Sequence, residues 1–270
     1  MVQELLQHAA VPNGSAGLAE TGPEHPENGK WLVFTKRGGS AMTMAEWLEC
    51  TDPAVALYYM PGWPSARKLR LFACACCRRL PGLYGNKHLL EAIEVVERHA
   101  DGRADADELA NAESGASPWD GRRWDAPSAA VRGAANSDAR MAASGASGEC
   151  ASAIANATAS RPDLSRFDPA SPWTQVRATE RRKQTVLLFD LLGNPFRRVA
   201  VDPAWLLWRG GTISQVARCI YEERRFSDLP LLADMLTDVG CDDAEILEHC
   251  HGGGEHVLGC WVVDLLLGKQ

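Results

Sequence analysis

The C-terminal segment, residues 240–270, concentrates thiol and imidazole side chains around three consecutive glycines. Such side chains are ligands that zinc prefers, and a thiol beside an imidazole can also act as a nucleophile with its base. Buried cysteines, however, often behave as small hydrophobic residues. The segment therefore raises three alternatives, namely a metal site, a reactive thiol or a packed helix end. The residues concerned are Cys241, His249, Cys250, His251, His256 and Cys260.

Helical spacing in this segment places three polar residues in one row. We predict a final helix over residues 256–267, in which His256, Cys260 and Asp264 follow one another at intervals of four and share one face. Apolar residues flank the row, so Asp264 should be buried, and a buried carboxylate needs a partner. We expect an arginine from the preceding basic stretch. The candidates are Arg197, Arg198 and Arg218.

The row permits three interpretations. In the first, which we favour, it is structural: its histidine caps the helix, its cysteine packs and Asp264 pairs with an arginine. In the second, the row contributes to a zinc site, although the spacing matches no diagnostic zinc motif. The candidate ligands are Cys250, His256 and Cys260 with either His249 or Cys241. In the third, Cys250 or Cys260 is a nucleophile with a histidine base, which apolar surroundings would oppose by raising the thiol pKa.

Two further motifs resemble ligand sites but are predicted to be structural. Cys74 and Cys77 share one face of a predicted helix while Cys76 points elsewhere, so this run supplies too few ligands for structural zinc. The glycines at 252–254 would offer free amides to an anion, but Glu255 would repel phosphate and no P-loop lysine follows. We predict buried packing for the cysteines and a tight turn for the glycines.

The elements that must position these residues are predicted to be helices. Thr43 and Glu46 have the spacing of a capping box, and Asp52 precedes a proline that suits a first helical turn. Gly193 lies two residues before a proline and should end a long apolar helix. No stretch alternates with period two for long, so the predicted fold class is all-α, a multi-helix assembly.

Composition divides the chain into four segments. Residues 1–41 are rich in Pro, Gly, Asn and Glu and lack apolar periodicity, so we predict a disordered extension. Residues 42–111 are predicted to be an N-terminal helical segment, and residues 174–270 a C-terminal helical domain. Between them, residues 112–173 are rich in Ala, Ser and Gly. Glycine weakens a helix, so this part is predicted to be either a small-residue helix or a linker.

Composition and charge argue against several classes of protein. The chain has 270 residues, of which 46% are hydrophobic and 23% charged, as is typical of a soluble globular protein. Its net charge of −7 argues against nucleic-acid binding. The longest apolar run near the end is too short to cross a bilayer, so we expect no membrane association. Bases predominate in residues 176–225 and acids in residues 226–270. We favour a solvated acidic helical surface, and the alternative is that these stretches pair with each other or with a basic partner.

Cysteine usage indicates the cellular compartment. The chain has 9 cysteines, an odd number, and Cys76 and Cys77 are adjacent, so no regular disulfide framework is apparent. Reduced thiols of this kind are typical of the cytosol. The first forty residues also lack the pattern of a secretory signal peptide. We therefore expect a cytoplasmic protein.

Two segments resemble a known protein family. The phrases "EWLECTDP…RKLRLFACACCRR" near the start and "GNPFRRVAVDPAWL…HVLGCWVVDLLLGK" near the end resemble the two signature segments of a large bacterial family. Members of that family are multiplied within large genomes, and no activity is known for them. The resemblance covers residues 44–110 and 186–269. It implies a helical, cytoplasmic bacterial protein and transfers no catalytic or ligand residue.

The sequence contains no intact catalytic motif, which favours a non-enzymatic function over the alternatives. We favour a non-enzymatic interaction or regulatory module that binds a protein partner and needs no cofactor. The first alternative is a helical domain stabilised by zinc at the C-terminal Cys and His residues. The second alternative is a thiol-dependent hydrolase or transferase.

Overall fold

The computed structural model describes residues 41–116, 126–159 and 168–269. Within these ranges the chain forms thirteen α-helices and no β-strand, which confirms the predicted all-α class. The helices are α1 (Met44–Leu48), α2 (Pro53–Tyr59), α3 (Ala66–Arg78), α4 (Lys87–Ala100), α5 (Ala106–Gly115), α6 (Ala126–Ala134), α7 (Ala139–Thr158), α8 (Pro172–Leu192), α9 (Pro203–Leu207), α10 (Thr212–Glu223), α11 (Leu229–Asp238), α12 (Ala244–His251) and α13 (Trp261–Leu267). Short 3₁₀ turns occur at Leu83–Gly85, Trp208–Gly210 and Phe226–Asp228. The predicted disordered extension lies outside the described residues except for Ala41.

The helix ends predicted from local signals are confirmed. Thr43 and Glu46 form a reciprocal capping box, in which the Thr43 amide donates to Glu46 Oε2 over 2.8 Å. The Asp52 carboxylate accepts the Ala54 amide at 2.9 Å and so caps α2. Gly193 has φ +62° and ends α8. These signals depend on neighbours within a few residues, so they can be read from the sequence directly.

Helix α3 is the centre of the fold. Every residue from Leu69 to Cys77 is buried, and α3 packs against α4, α6, α7 and α8. Its charged residues therefore reach inward to other helices. Arg78 donates two hydrogen bonds, each 2.8 Å long, to Glu97 on α4. Arg79 binds Glu180 on α8 in the same two-pronged manner. Both links are charge-assisted and bidentate, the strongest form of side-chain hydrogen bonding.

The small-residue middle of the chain is helical where it is described. Helix α7 runs through Ala142, Ala146 and Cys150, which are all fully buried, and packs against α3, α6 and α8. Small side chains allow these helices to approach closely. Arg70 of α3 closes the loop between α6 and α7, because it donates to the Asn136 carbonyl at 2.6 Å. Most of the described residues in this segment lie in α5, α6 and α7, and residues 117–125 and 160–167 lie outside the described ranges.

The C-terminal helices pack in a connected series. Helix α10 contacts α11 and α13, α11 contacts α12, and α13 contacts α8. A single cluster of buried apolar residues includes members from each of the segments 42–111, 112–173 and 174–270. Among the helices that the structure describes, none combines the length and the apolar character needed to cross a membrane.

Candidate metal centre

The C-terminal segment does not form the single helix predicted over residues 256–267. Helix α13 begins only at Trp261, and the residues before it form turns. Gly259 adopts φ +93°, a left-handed conformation that interrupts a helix. A Cβ on Gly259 would lie 2.6 Å from the side chain of Leu71, so the backbone runs directly against α3 at this point. The predicted helical row is therefore wrong. It comprised His256, Cys260 and Asp264.

Asp264 points away from the other two members of that row. Its carboxylate is almost fully buried and binds Arg67 and Lys68 at the start of α3, each at 2.5 Å. The partner is an arginine, but it comes from α3, far away in the sequence, and not from the basic stretch that we expected. Arg197 instead binds Asp243 at the start of α12. Neither this residue nor the other two expected partners, Arg198 and Arg218, pairs with Asp264.

Four side chains from three parts of the chain converge beside α13. Asp190 lies near the end of α8, His249 lies in the last turn of α12, His256 lies in the turns that follow, and Cys260 immediately precedes α13. One potential ligand atom from each residue can be chosen so that all four atoms lie within 4.8 Å of one another. We call this group the DHHC cluster. Three of its members were zinc candidates from the sequence; Asp190 was not.

Short contacts hold the DHHC cluster together. His256 Nδ1 lies 2.6 Å from Asp190 Oδ1. His249 Nε2 lies 3.2 Å from the same oxygen and 3.1 Å from Cys260 Sγ. The two imidazole rings meet edge to face with their centroids 4.9 Å apart. Asp190 and Cys260 are buried, and both histidines are partly covered. The four ligand atoms therefore surround one small interior volume.

Hydrogen bonds outside the cluster orient two of its members. The Val257 amide donates to Asp190 Oδ2 at 2.9 Å, so the other carboxylate oxygen faces the histidines. His256 Nε2 lies 3.4 Å from the Gly252 carbonyl. A proton on Nε2 would be donated to that carbonyl, and Nδ1 would then be free to act as a ligand. Such outer contacts commonly fix the orientation and the tautomer of metal ligands.

When no cation is bound, local electrostatics favour protonated His256 and Cys260 beside an ionised Asp190. Burial opposes ionisation of Asp190, but hydrogen bonds from His249 and His256 outweigh it and lower the Asp190 pKa. Burial also opposes protonation of His256, yet Asp190 outweighs it and raises the His256 pKa. Burial and the negative charge of Asp190 raise the pKa of Cys260 well above its usual value. A bound divalent cation would replace these protons, since zinc ligands bind in their deprotonated forms.

The remaining C-terminal candidates lie outside the cluster. Cys250 is fully buried on α12, and its pKa is raised to about 12 by burial and by the charge of Asp190. Cys241 is also buried, and neither cysteine supplies a ligand atom to the group. His251 is exposed and contacts Asp234 at 3.3 Å. Of the five zinc candidates, Cys250 and Cys241 therefore lie outside the group, whereas His249, His256 and Cys260 lie within it, and Asp190 is the added fourth member.

The geometry does not resemble a thiol nucleophile with its base. Cys260 and Cys250 are both completely buried, so neither thiol is open to a substrate. Raised thiol pKa values also oppose formation of the reactive thiolate. His249 uses one nitrogen, Nε2, toward both Asp190 and Cys260, whereas a catalytic relay needs the acid on the opposite ring nitrogen.

Asp190 is the member of the cluster that sequence reasoning missed. It lies in the apolar run "VLLFDLL", residues 186–192, which forms the buried end of α8. A carboxylate at such a position must be paired, hydrogen-bonded or protonated. That requirement was the available signal. The identity of its partners depends on how α8 meets α12, which local patterns do not reveal.

Comparison with known proteins gives no relative: no protein-family model, no curated protein and no solved structure matches this chain. The functional assignment therefore rests on the geometry of the DHHC cluster.

Proposed function

We propose that this protein is a non-enzymatic helical module stabilised by one zinc ion in the DHHC cluster. The observation that carries the proposal is the convergence of four ligand atoms, one each from Asp190, His249, His256 and Cys260, within 4.8 Å. Carboxylate, imidazole and thiolate are all established zinc ligands, and zinc is most often tetrahedral in structural sites. The ligand atoms would be Oδ1, Nε2, Nδ1 and Sγ, respectively.

The size of the cluster suits a tetrahedral ion. Bonds of about 2.0–2.3 Å place neighbouring ligand atoms about 3.3–3.6 Å apart. The observed separations of 3.1 and 3.2 Å at His249 lie close to this range, and the 2.6 Å contact between His256 and Asp190 must lengthen by somewhat less than 1 Å. The wider pairs, which lie within 4.8 Å, must close by up to about 1.5 Å. Small side-chain rotations supply such a change. The outer hydrogen bonds from Val257 and to Gly252 can persist while they occur.

A structural role fits the cluster better than a catalytic one. Catalytic zinc sites keep one position open for water or substrate, whereas four protein ligands complete a tetrahedral shell. The cluster also joins side chains from α8, α12 and the turns before α13. Binding one ion would therefore fasten the C-terminal helices to the long helix α8, and its binding free energy would add to the stability of the fold.

The states of the cysteines support a cytoplasmic location for this module. All nine are free thiols, and eight of them are buried or partly buried. Free thiols persist in reducing compartments. We further propose that the stabilised fold binds a protein partner. The closed metal site and the buried thiols of the C-terminal segment support this role, because both oppose the enzyme alternative.

Metal analysis of the purified protein tests the proposal. Protein prepared without a histidine tag should contain about one zinc per chain by mass spectrometry of the metal, in keeping with one four-ligand site. Cys260→Ser and His249→Ala should each lose it. Cys219→Ser, which removes an exposed thiol outside the cluster, is the matched control and should retain it. Zinc that survives Cys260→Ser, or that is absent from the unmodified protein, would refute the proposal.

A further inference from the structure

A cavity of about 260 Å³ opens beside α3, next to the turns that carry His256. Its apolar lining includes Leu71, Ala75, Phe226 and Leu258. Three arginines also line it, namely Arg78, Arg79 and Arg224. Small-molecule sites usually combine apolar walls with a few convergent polar groups. Here polar and apolar surface are about equal, and the volume is just below the common range of about 300–1,000 Å³.

Two buried glutamates neutralise part of this positive charge permanently. Glu97 accepts hydrogen bonds from both Arg78 and Arg224. Glu180 accepts two from Arg79, at 2.7 and 3.1 Å. The side chains of Glu97 and Glu180 are only 6% and 4% exposed. A bound molecule could not displace either carboxylate without unpairing a buried charge, which is costly.

The third carboxylate, that of Glu255, differs from these two because it can be displaced from its arginine. Glu255 Oε2 accepts a single hydrogen bond from Arg79 Nη1 at 2.6 Å, and the Glu255 side chain is 51% exposed. Because half of the Glu255 side chain is in contact with water, solvent weakens this ion pair relative to the two buried ones. Glu255 also follows the three glycines at 252–254, a residue type whose backbone adopts a wide range of conformations. When Glu255 swings away, three guanidinium groups face two carboxylates, which leaves one unit of positive charge at the cavity.

We propose that this cavity binds a small monocarboxylic acid, whose carboxylate replaces that of Glu255 on Arg79. The contact with Glu255 already shows that the Arg79 guanidinium binds a carboxylate at this position. Arg224 is 38% exposed at the rim and supplies a second donor. The carbon body of the acid lies against Phe226 and Leu258. Glu255 acts as an internal competitor that occupies the site when no acid is bound. The proposal does not depend on metal in the DHHC cluster.

Calorimetric titration with sodium benzoate at constant ionic strength tests this site. Benzoate should bind one molecule per chain, whereas benzamide, which has the same shape without the charge, should not. Inorganic phosphate should bind less well than benzoate, because it carries more charge than the cavity leaves free. Equal binding of benzamide, preferential binding of phosphate, or no binding of benzoate would each overturn the proposal.

Variants assign the binding to this cavity. Glu255→Gln should strengthen benzoate binding by up to about fivefold, because the competing ion pair is lost. Glu223→Gln is the matched control, since it removes an exposed acid beside Arg224 that pairs with Arg225 instead, and it should change nothing. Arg224→Gln should weaken binding by roughly tenfold or more, the effect of losing a hydrogen bond to a charged group.

A second variant keeps the test decisive if Arg224→Gln disturbs folding, which circular dichroism would reveal. Phe226→Ala removes one apolar wall without removing a charged group, and it should also weaken benzoate binding several-fold. An equal gain in affinity from Glu255→Gln and Glu223→Gln would show that only the overall charge matters. That result, or unchanged binding in Phe226→Ala, would place benzoate elsewhere and end the proposal.

Discussion

Arg67 at the start of α3 donates two hydrogen bonds to Asp264 on α13, although 197 residues separate them in the chain. The same guanidinium also donates to Asp101 at the end of α4 and to the hydroxyl of Tyr221 on α10. Lys68 adds a second positive charge to Asp264. Four helices therefore meet at one buried ionic network. The arrangement ties the last helix, α13, to the start of α3.

Loss of the Asp264 charge should destabilise the fold strongly. Asp264→Asn keeps the shape but leaves Arg67 and Lys68 without their main counter-charge in a buried site. Breaking a buried pair in this way costs about 3–5 kcal/mol. Urea denaturation should show a loss of that size. Asp234 is 74% exposed and forms a salt bridge with His251. Asp234→Asn should therefore change the free energy of unfolding by no more than about 0.5 kcal/mol. A loss below about 1 kcal/mol for Asp264→Asn would contradict the importance of the network.

The sequence predicts what is local and misses what is distant. The capping box at Thr43 and the end of α8 at Gly193 follow from residues a few positions apart, and both are confirmed. Asp264 could be predicted to be buried and paired, because a carboxylate among apolar neighbours needs a partner. Its partner Arg67 could not be identified, because that contact depends on how α3 meets α13. Asp190 was missed for the same reason.

The helical pattern of residues 256–267 is continuous in the sequence, but the helix itself is not. The spacing of His256, Cys260 and Asp264 fits a helical row, yet Gly259 interrupts it in a left-handed conformation. Glycine within a helical pattern permits such a break but does not require it. Close packing against Leu71 decides the outcome, and that contact is not visible in the local sequence. The break turns Cys260 toward His249 and forms the cluster that a straight helix would not.

Substitution of Gly259 should therefore be poorly tolerated. Gly259→Ala places a Cβ 2.6 Å from Leu71 Cδ1 and 2.9 Å from Leu191 Cδ2, at a φ that L-residues rarely adopt. The backbone strain alone costs about 1–3 kcal/mol, and thermal or urea unfolding should show at least that loss. Gly253→Ala is the control, because a Cβ there meets nothing within 4 Å. The control should be neutral or slightly stabilising, by up to about 1 kcal/mol. Similar effects of the two changes would argue against the close approach.

The small residues of α7 should be sensitive to size on one face and tolerant on another. Ala146 is fully buried, so Ala146→Leu should overpack the core and lower the free energy of unfolding by about 1–3 kcal/mol. Gly145 has open space around its Cβ position and lies within the helix, so Gly145→Ala should raise the stability by about 0.5–1 kcal/mol. Urea denaturation measures both. A stabilising Ala146→Leu would mean that α7 is less closely packed than its burial indicates.

Acid should weaken the ionic network through Asp101. Burial opposes ionisation of this carboxyl, but hydrogen bonds from Tyr221 and Arg67 outweigh it and lower the Asp101 pKa in the folded protein. Its ionised form is thus favoured by folding, and the resulting stability is present above the unfolded pKa of about 3.9 and is lost as the pH falls through the lower folded pKa. Asp101→Asn should flatten this part of the stability profile between about pH 5 and pH 2. An Asp101→Asn profile that keeps the full acid dependence of the unmodified protein would contradict this role of Asp101.

Zinc should stabilise the protein against unfolding, and the added stability should rise with the logarithm of the free zinc concentration. An ion that binds only the folded state adds about 2.7 kcal/mol when its free concentration is one hundred times its dissociation constant. Buffered zinc should therefore raise the thermal unfolding midpoint of the chelator-treated protein. The rise should disappear in Cys260→Ser and in Asp190→Asn. Cys250→Ser is a matched control, because it changes a buried thiol near the cluster that supplies no ligand atom. This control should lower the starting stability yet keep the response to zinc, so that a general effect of losing a buried thiol is separated from loss of a ligand.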